Sequence, residues 1–344
     1  MVLYTATVGQ DLRDTIFQVV NQINHGVPEL IQEQQLHKKV EISDLNFHAG
    51  SRAIDLSDHE TANSYLCTAL SLLPANHWSI HYEMSLKMYF VAANAAYTSG
   101  NSKRALDLLK SILENGRCTE DKLDAFYLYS MMLHACKKSD EGYNTCVNVL
   151  KQLGETLPAT LAMAQLQGMM KETGMLLGRM SDADIQQLKP LDTSSPLRHI
   201  IKFYSLLCCL AYWKSPQMMV WAGCRMIKLS LNNGICSDAL FGFLMYSGTI
   251  CMQSKSTPII KEACRVGKAV MSLIERPGFV ESTPDLVPRA YFIYYGFVAT
   301  WSDPLQVCAA NLRKGFEGEQ TFVTYPFCFL MLSANEPPSL FTLR

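Results

Sequence analysis

Between Ser43 and Pro74 the sequence reads SDLNFHAGSRAIDLSDHETANSYLCTALSLLP, and its small residues recur where two antiparallel helices would have to touch. Counting Ser43 as the first position places Gly50 at 8, Ala53 at 11, Ala62 at 20, Leu66 at 24, Ala69 at 27 and Pro74 at 32. Glycine and alanine let the two helix axes approach closely, Leu66 fills the space between them, and Pro74 ends the second helix because it cannot continue the hydrogen-bond ladder. A helix pair of this kind cannot cover its own apolar face. It requires neighbours, and stacking of similar pairs is the simplest way to supply them.

Further along, AANAAYTSGNSKRALDLLKSIL repeats the pattern with Ala93, Gly100, Ala105, Leu109 and Ile112, so that Ala62 and Ala105 stand 43 positions apart. A weaker third copy runs from Ala125 to Gly154, with Gly142 in place of the second-helix alanine. The spacing drifts, as it does in degenerate tandems. These framework positions are those of the tetratricopeptide repeat, a helix–turn–helix unit, and no stretch shows the apolar/polar alternation of strands. The expectation is an all-α chain of TPR-like antiparallel helix pairs stacked as an α-solenoid. Its parts are an N-terminal helical connector at 1–36, repeats over 37–179, and a second helical half with degenerate repeats over 180–344.

The boundary at 180 is set by the polar, proline-containing MSDADIQQLKPLDTSSPLRH. Beyond it, Ser195-Pro196, Ser215-Pro216, Thr257-Pro258 and Asp303-Pro304 each place a capping residue before a proline at a helix start. Pro216 and Pro258 are 42 positions apart, and Pro258 and Pro304 are 46 apart. The helix after Pro258 gathers Ile259, Ala263, Val266, Val270 and Leu273 on one apolar face, with Lys261, Glu262, Arg265 and Lys268 elsewhere.

Composition narrows the function. With 49% hydrophobic residues and 18% charged, the chain has material for a continuous core. Thirty basic side chains balance 31 acidic ones, and no basic run is interleaved with aromatics, which argues against nucleic acid as a ligand. The 12 cysteines form no C-x-x-C and fall mostly in apolar helical stretches. They read as small buried hydrophobes in a reducing compartment, hence the cytoplasm. The longest uncharged runs, 239–254 and 320–335, fall short of the roughly 20 residues that span a bilayer and read as buried helices. No membrane partner is expected.

Motifs that carry chemistry are missing: the G-x-x-x-x-G-K-[ST] phosphate loop, the glycine-rich loop of a βαβ unit, kinase H-R-D and D-F-G, and hydrolase G-x-S-x-G. His77 and His81 stand four apart but have no third ligand in sequence, and they read as surface or capping residues rather than a metal site. Asp303 reads as a helix cap beside a packed Trp301, and Asp182 and Asp184 as the acidic start of a helix. The aromatics of AYFIYYGFVATW read as core. Met169, Met170, Met175, Met218, Met219 and Met226 could serve either an adaptable interface or the core, the commoner use. No catalytic, cofactor-binding or metal residue is assigned, and no cofactor is expected.

LNFHAGSRAIDLSDHETANSYLCTALSLLPANHW, AANAAYTSGNSKRALDLL, DKLDAFYLY and VLKQLGETLP, followed by LLCCLAYWKSPQMMVWAGCRMIKLSLNNGICSDALFGFLMYSG and WSDPLQVCAANLRKGFEGEQ, together resemble a particular helical region. It follows the AAA-type (signal-transduction) ATPase domain in very large signalling proteins, which carry a serine/threonine kinase-like domain ahead of the ATPase and often a histidine-kinase module behind. The resemblance runs over roughly residues 13–335. It implies a non-catalytic repeat segment for protein–protein interaction or sensing, a piece of a larger ATPase/kinase protein whose enzymatic parts lie elsewhere. Its partners would be proteins or peptides, including the ATPase and kinase domains of the same longer chain. The alternative is an independent TPR-like adaptor that holds a peptide in its groove, and a third reading, an all-helical enzyme, lacks any nucleophile–base constellation. DLRDTIFQVVNQINHGVPELIQEQQ resembles the passage joining ATPase to repeats. The apolar ending TFVTYPFCFLMLSANEPPSLFTLR suggests an uncovered end that would promote association.

Phosphate cradling needs a glycine-rich loop with a lysine at the following helix start. The chain is therefore expected neither to hydrolyse nor to bind ATP tightly. Isothermal calorimetry with magnesium and ATP should give no stoichiometric heat.

Overall fold

The computed structural model describes residues 12–26, 36–276 and 286–319. Among these residues all regular structure is helical apart from one isolated parallel bridge, Pro190 to Ile235. The run at 320–335, Cys328 and the apolar C-terminal ending lie outside the described residues. By contact the chain resolves into two units, one through Met132 and one from Leu133. The connector at 180–199 lies inside the second.

The first unit begins with α1 (Leu12–Asn24), followed by α2 (Leu36–Asp55) and α3 (His59–Ser71). A one-turn α4 (His77–Ile80) leads into α5 (Tyr82–Thr98) and α6 (Ser102–Asn115), and α7 (Thr119–Ala135) carries the chain across the division. Helices α2 and α3 pack along each other, as do α5 and α6, and α3 packs on α5. The helix pairs called for by the Ser43–Pro74 unit and by its copy around Ala93–Ile112 are therefore present.

The α2–α3 contact is as close as the sequence requires. A Cβ built on Gly50 would lie 2.7 Å from Leu66 Cγ and 3.3 Å from the Ala62 carbonyl oxygen. Ala62, Leu66 and Ala69 are buried with Phe47, Met88 and Ala92 in one core. Ser43, the first position of the unit, is also buried. Its hydroxyl donates to the Ala69 carbonyl at 2.7 Å, adding a polar tie between the two helices. On the other side α1 places Ile16 and Val20 against Ala49 and Tyr65, and Tyr65 Oη donates to Asn21 Oδ1 at 2.8 Å.

Three of the turns between consecutive helices share one construction. Ser57, Gly100 and Lys137 all adopt left-handed φ values of 60°, 82° and 62°. In each case the next amide donates back five residues: Asp58 to Ala53, Asn101 to Ala96 and Lys138 to Leu133, at 2.8–2.9 Å. This is the 6→1 bond of a Schellman ending. Asp58 and Asn101 then cap the following helix, accepting from the amides of Thr61 and Arg104. Helix end and helix start are thus compressed into two residues, which forces the chain to reverse.

The second unit comprises α8 (Ser139–Gln152), α9 (Met163–Leu177), the one-turn α10 (Asp182–Gln186), α11 (Leu197–Lys214), α12 (Pro216–Asn233), α13 (Ser237–Gln253) and α14 (Thr257–Ile274). After these come α15 (Leu286–Ile293), a π turn (Tyr294–Val298), a 3₁₀ turn (Ala299–Trp301) and α16 (Leu305–Glu319). Helix α11 packs on α12, α12 on α13 and α13 on α14. Helix α13 is buried on nearly every side, as the uncharged run that follows Asp238 predicts. A half-buried bidentate pair anchors this unit: Arg225 Nε and Nη2 meet the two oxygens of Glu155 at 3.0 and 3.1 Å, and Tyr204 Oη donates to the same carboxylate at 2.6 Å. Burial pushes the Glu155 pKa up, but the Arg225 and Tyr204 bonds outweigh it and leave the pKa below its ordinary value.

Three local expectations need correction. Pro216 opens α12 at its first position, but Ser215 makes no side-chain cap bond; Thr257 is itself the first residue of α14, behind a Ser256 that makes none either, and Pro196 and Pro304 immediately precede α11 and α16. The fixed φ of proline, about −65°, already presets a helix start, so α12 and α14 begin without a side-chain cap. Trp301 is 57% exposed rather than packed, because it ends a 3₁₀ turn that carries it off the helix face. Cys118 and Cys136 are exposed in turns, whereas seven of the described cysteines are buried.

Ala62 has no exposed surface and its backbone faces Gly50. Ala62→Leu should overpack the α2–α3 contact and cost about 1–3 kcal/mol. The check is chemical denaturation of the variant beside the wild type.

Candidate binding groove

In the second unit, α9, α13 and α14 enclose an open groove of about 430 Å³. Helix α9 contributes Met170, Lys171, Gly174 and Met175. Helix α13 contributes Tyr246 and Ile250, and α14 contributes Pro258, Ile259, Glu262, Ala263 and Val266. The lining is mainly apolar, and it includes large side chains that water still reaches, since Met175 is 52% exposed and Ile259 51%. An unburied methionine and isoleucine facing one cleft is the unusual feature, because the hydrophobic effect favours covering them.

The walls are held by polar bonds at the rim. A Cβ on Gly174 would stand 2.7 Å from Tyr246 Oη, so the glycine lets the tyrosine reach the Met170 carbonyl, to which it donates at 3.3 Å. Arg265 donates to the Leu177 carbonyl at 3.2 Å and to Glu262 at 2.6 Å, and also reaches Asp182. One guanidinium therefore links the end of α9, the start of α10 and α14. Lys228 of α12 pairs with Glu172 of α9 at 2.6 Å. Such a frame suits an apolar segment laid along the groove, and no cluster of three or more metal-ligating side chains exists among the described residues.

The structure divides the methionines singled out in the sequence. Met218, Met219 and Met226 are buried core residues, whereas Met170 and Met175 line the groove. Sequence alone could not separate them, because α9 and α12 have similar composition and only the packing of α9 on α12 leaves one edge of α9 open. Asp184 forms a capping box with Ser181 as expected for an acidic helix start, and Asp182 turns instead to Arg265. The aromatics at 291, 294 and 295 are buried as expected, and Tyr291 and Tyr295 both donate to Glu275 Oε1, at 3.0 and 3.1 Å.

In the first unit a second cleft, about 640 Å³, is lined by His37, Val40, Glu41, Asp44, His81 and Met84. His81 faces this cleft, but His77 does not. His77 is buried, with Nδ1 2.9 Å from Ser85 Oγ and Nε2 3.3 Å from Tyr89 Oη, and its ring stacks on Tyr89. It is a satisfied core residue rather than a surface or capping one, because the one-turn α4 tucks it under α5.

No family model matches the chain. A stretch of 114 residues, 30% of the chain, is 30% identical to hybrid signal transduction histidine kinase G of Dictyostelium discoideum. The chain spans about 3% of that protein's length. The described residues of this chain are helical, and part of the chain has local similarity to a signal-transduction kinase. No helix among the described residues is long and apolar enough to cross a membrane.

Burial, and then the charge of His81, hold the His77 pKa below the ordinary 6.5. Above that value both folded and unfolded chains carry a neutral ring and the His77 contribution is complete. Below it the unfolded chain takes the proton first, so stability falls with pH until the folded pKa is passed. The thermal midpoint should drop as pH falls from neutrality through about 6.5 and below. His77→Gln, which cannot titrate, should reduce that slope, the remainder belonging to His134, whose pKa burial also lowers, and scanning calorimetry across the range checks it.

Proposed function

We propose that this chain is a non-catalytic helical repeat segment that binds proteins or senses a signal within a larger ATPase/kinase signalling protein. In this reading the helix pairs are TPR-like and stack as an α-solenoid. The observation that carries the proposal is the open groove of α9, α13 and α14, with half-exposed Met175 and Ile259 over a floor of apolar side chains. A groove of that chemistry takes the apolar face of an amphipathic segment, and methionine adapts to partners of differing shape. Repetition of the left-handed turn at Ser57, Gly100 and Lys137 supports the repeat reading, since 43 and 37 positions separate these turns. The near balance of charge favours protein or peptide partners over nucleic acid. The segment works without a cofactor, in the cytoplasm, and leaves catalysis to other domains.

The local similarity to a kinase of far greater length favours a segment of a large protein over a free-standing adaptor. The test uses the chain and separately produced ATPase and kinase segments from its own full-length protein. Titration should show binding to at least one of them. Met175→Glu combined with Ile259→Glu should weaken it by about tenfold or more, with the melting temperature unchanged because both side chains are already half in water. Equal affinity of the variant would overturn the groove as the binding surface.

A further inference from the structure

Behind the groove wall, Cys251 of α13 and Cys264 of α14 bring their sulfurs to 3.7 Å. Cys251 is fully buried and Cys264 half-buried, and neither is in a disulfide. Three of the other buried thiols are employed differently: Cys146, Cys208 and Cys209 donate to the backbone carbonyls of Phe203, Met219 and Ser205. Cys264 also donates to the carbonyl of Val298, at the end of the π turn, at 3.6 Å. We propose that Cys251 and Cys264 are a convertible dithiol, a modification site at which a peroxide oxidant joins α13 to α14 through a disulfide.

The geometry requires little movement. A disulfide bond is about 2.05 Å long, so the sulfurs must close by about 1.6 Å. Both residues lie in well-packed helices already held side by side. Cys264, the more exposed, meets the oxidant first. Its thiolate attacks hydrogen peroxide, the O–O bond breaks, and the products are a Cys264 sulfenic acid and, after proton uptake by the leaving hydroxide, water. The Cys251 sulfur then attacks the sulfenic sulfur, the S–O bond breaks, and a second water leaves with the Cys251 proton. Two thiols are oxidised and one peroxide is reduced to two waters. Burial raises the pKa of both thiols, so the first step is slow at neutral pH and quickens as pH rises, while proximity favours the second step over release.

The bond would alter the groove, a consequence that rests on the binding role proposed above. Ile250 and Ala263, next in sequence to the two cysteines, both line it, and oxidation consumes the Cys264 donor that holds the Val298 carbonyl.

The experiment treats the folded full chain, carrying Cys118→Ser and Cys136→Ser to remove the exposed thiols, with hydrogen peroxide at pH 7 and 8. Unreacted thiols are then alkylated in denaturant, and the digest is read by mass spectrometry. The expected product is a Cys251–Cys264 linked peptide, lighter by two hydrogens than the two thiol peptides together. It should be removed by dithiothreitol, lost in Cys264→Ser, and formed several-fold faster at the higher pH. Cys251→Ser should instead leave a Cys264 sulfenic acid that dimedone traps. Recovery of both cysteines as separate alkylated peptides after peroxide treatment, or linkage only once the chain is unfolded, would overturn the proposal. Because the assay reads the bond itself, it does not depend on what the groove binds. A disulfide that forms without changing binding of the ATPase or kinase segments would overturn only its coupling to the groove.

Discussion

The hydrogen atom that stands in place of a side chain at Gly50 sets how closely α2 and α3 can lie, and the first unit is built on that contact. With a methyl group there, Leu66 would be displaced from the core it shares with Ala62, Ala69, Phe47 and Met88. The second unit uses the same device at Gly242, where a Cβ would stand 2.9 Å from Met226 Cβ and 3.2 Å from the Gly223 carbonyl. Close approach has two consequences. It maximises dispersion contacts between helices that have few large residues to offer, and it brings backbone carbonyls near enough for small polar side chains to bond across the interface, as Ser43 does to Ala69.

Helices held this tightly must reverse quickly between one and the next. The turns at Ser57, Gly100 and Lys137 do so by one left-handed residue followed at once by the residue before the next helix. Glycine takes that backbone conformation without strain, whereas serine and lysine adopt it at a cost of about 1 kcal/mol. The surrounding packing is evidently sufficient to hold them, since Ala53 and Ala62 on either side of Ser57 are both buried. Rigid pairs of this kind leave an edge open wherever the following helix does not cover it, and the groove beside α9 is such an edge.

The framework residues of the first helix pairs were legible because their spacing is dictated by local helix geometry, and Gly50, Ala62 and Leu66 stand where that spacing required. The buried tyrosines 291, 294 and 295 and the uncharged run of α13 after Asp238 were legible for a similar reason: each occupies a stretch too apolar to face water. Other features were not. Whether His77 lies on the surface depends on a four-residue helix that no periodicity marks, and the exposure of Trp301 depends on a 3₁₀ turn after a π turn. The Glu155–Arg225–Tyr204 cluster joins residues as many as 70 positions apart, and nothing local announces it.

What the sequence by itself determined is the helical class, the closeness of the first helix pairs and the absence of known phosphate-loop or kinase motifs, because each depends on residues near one another in the chain. Tertiary structure alone decided which methionines face solvent. It also brought Cys251 and Cys264 within 3.7 Å and placed Arg265 across three helices. The physical reason is that burial and side-chain meeting are properties of helix faces brought together in space, and a face is defined only once its neighbours are in place.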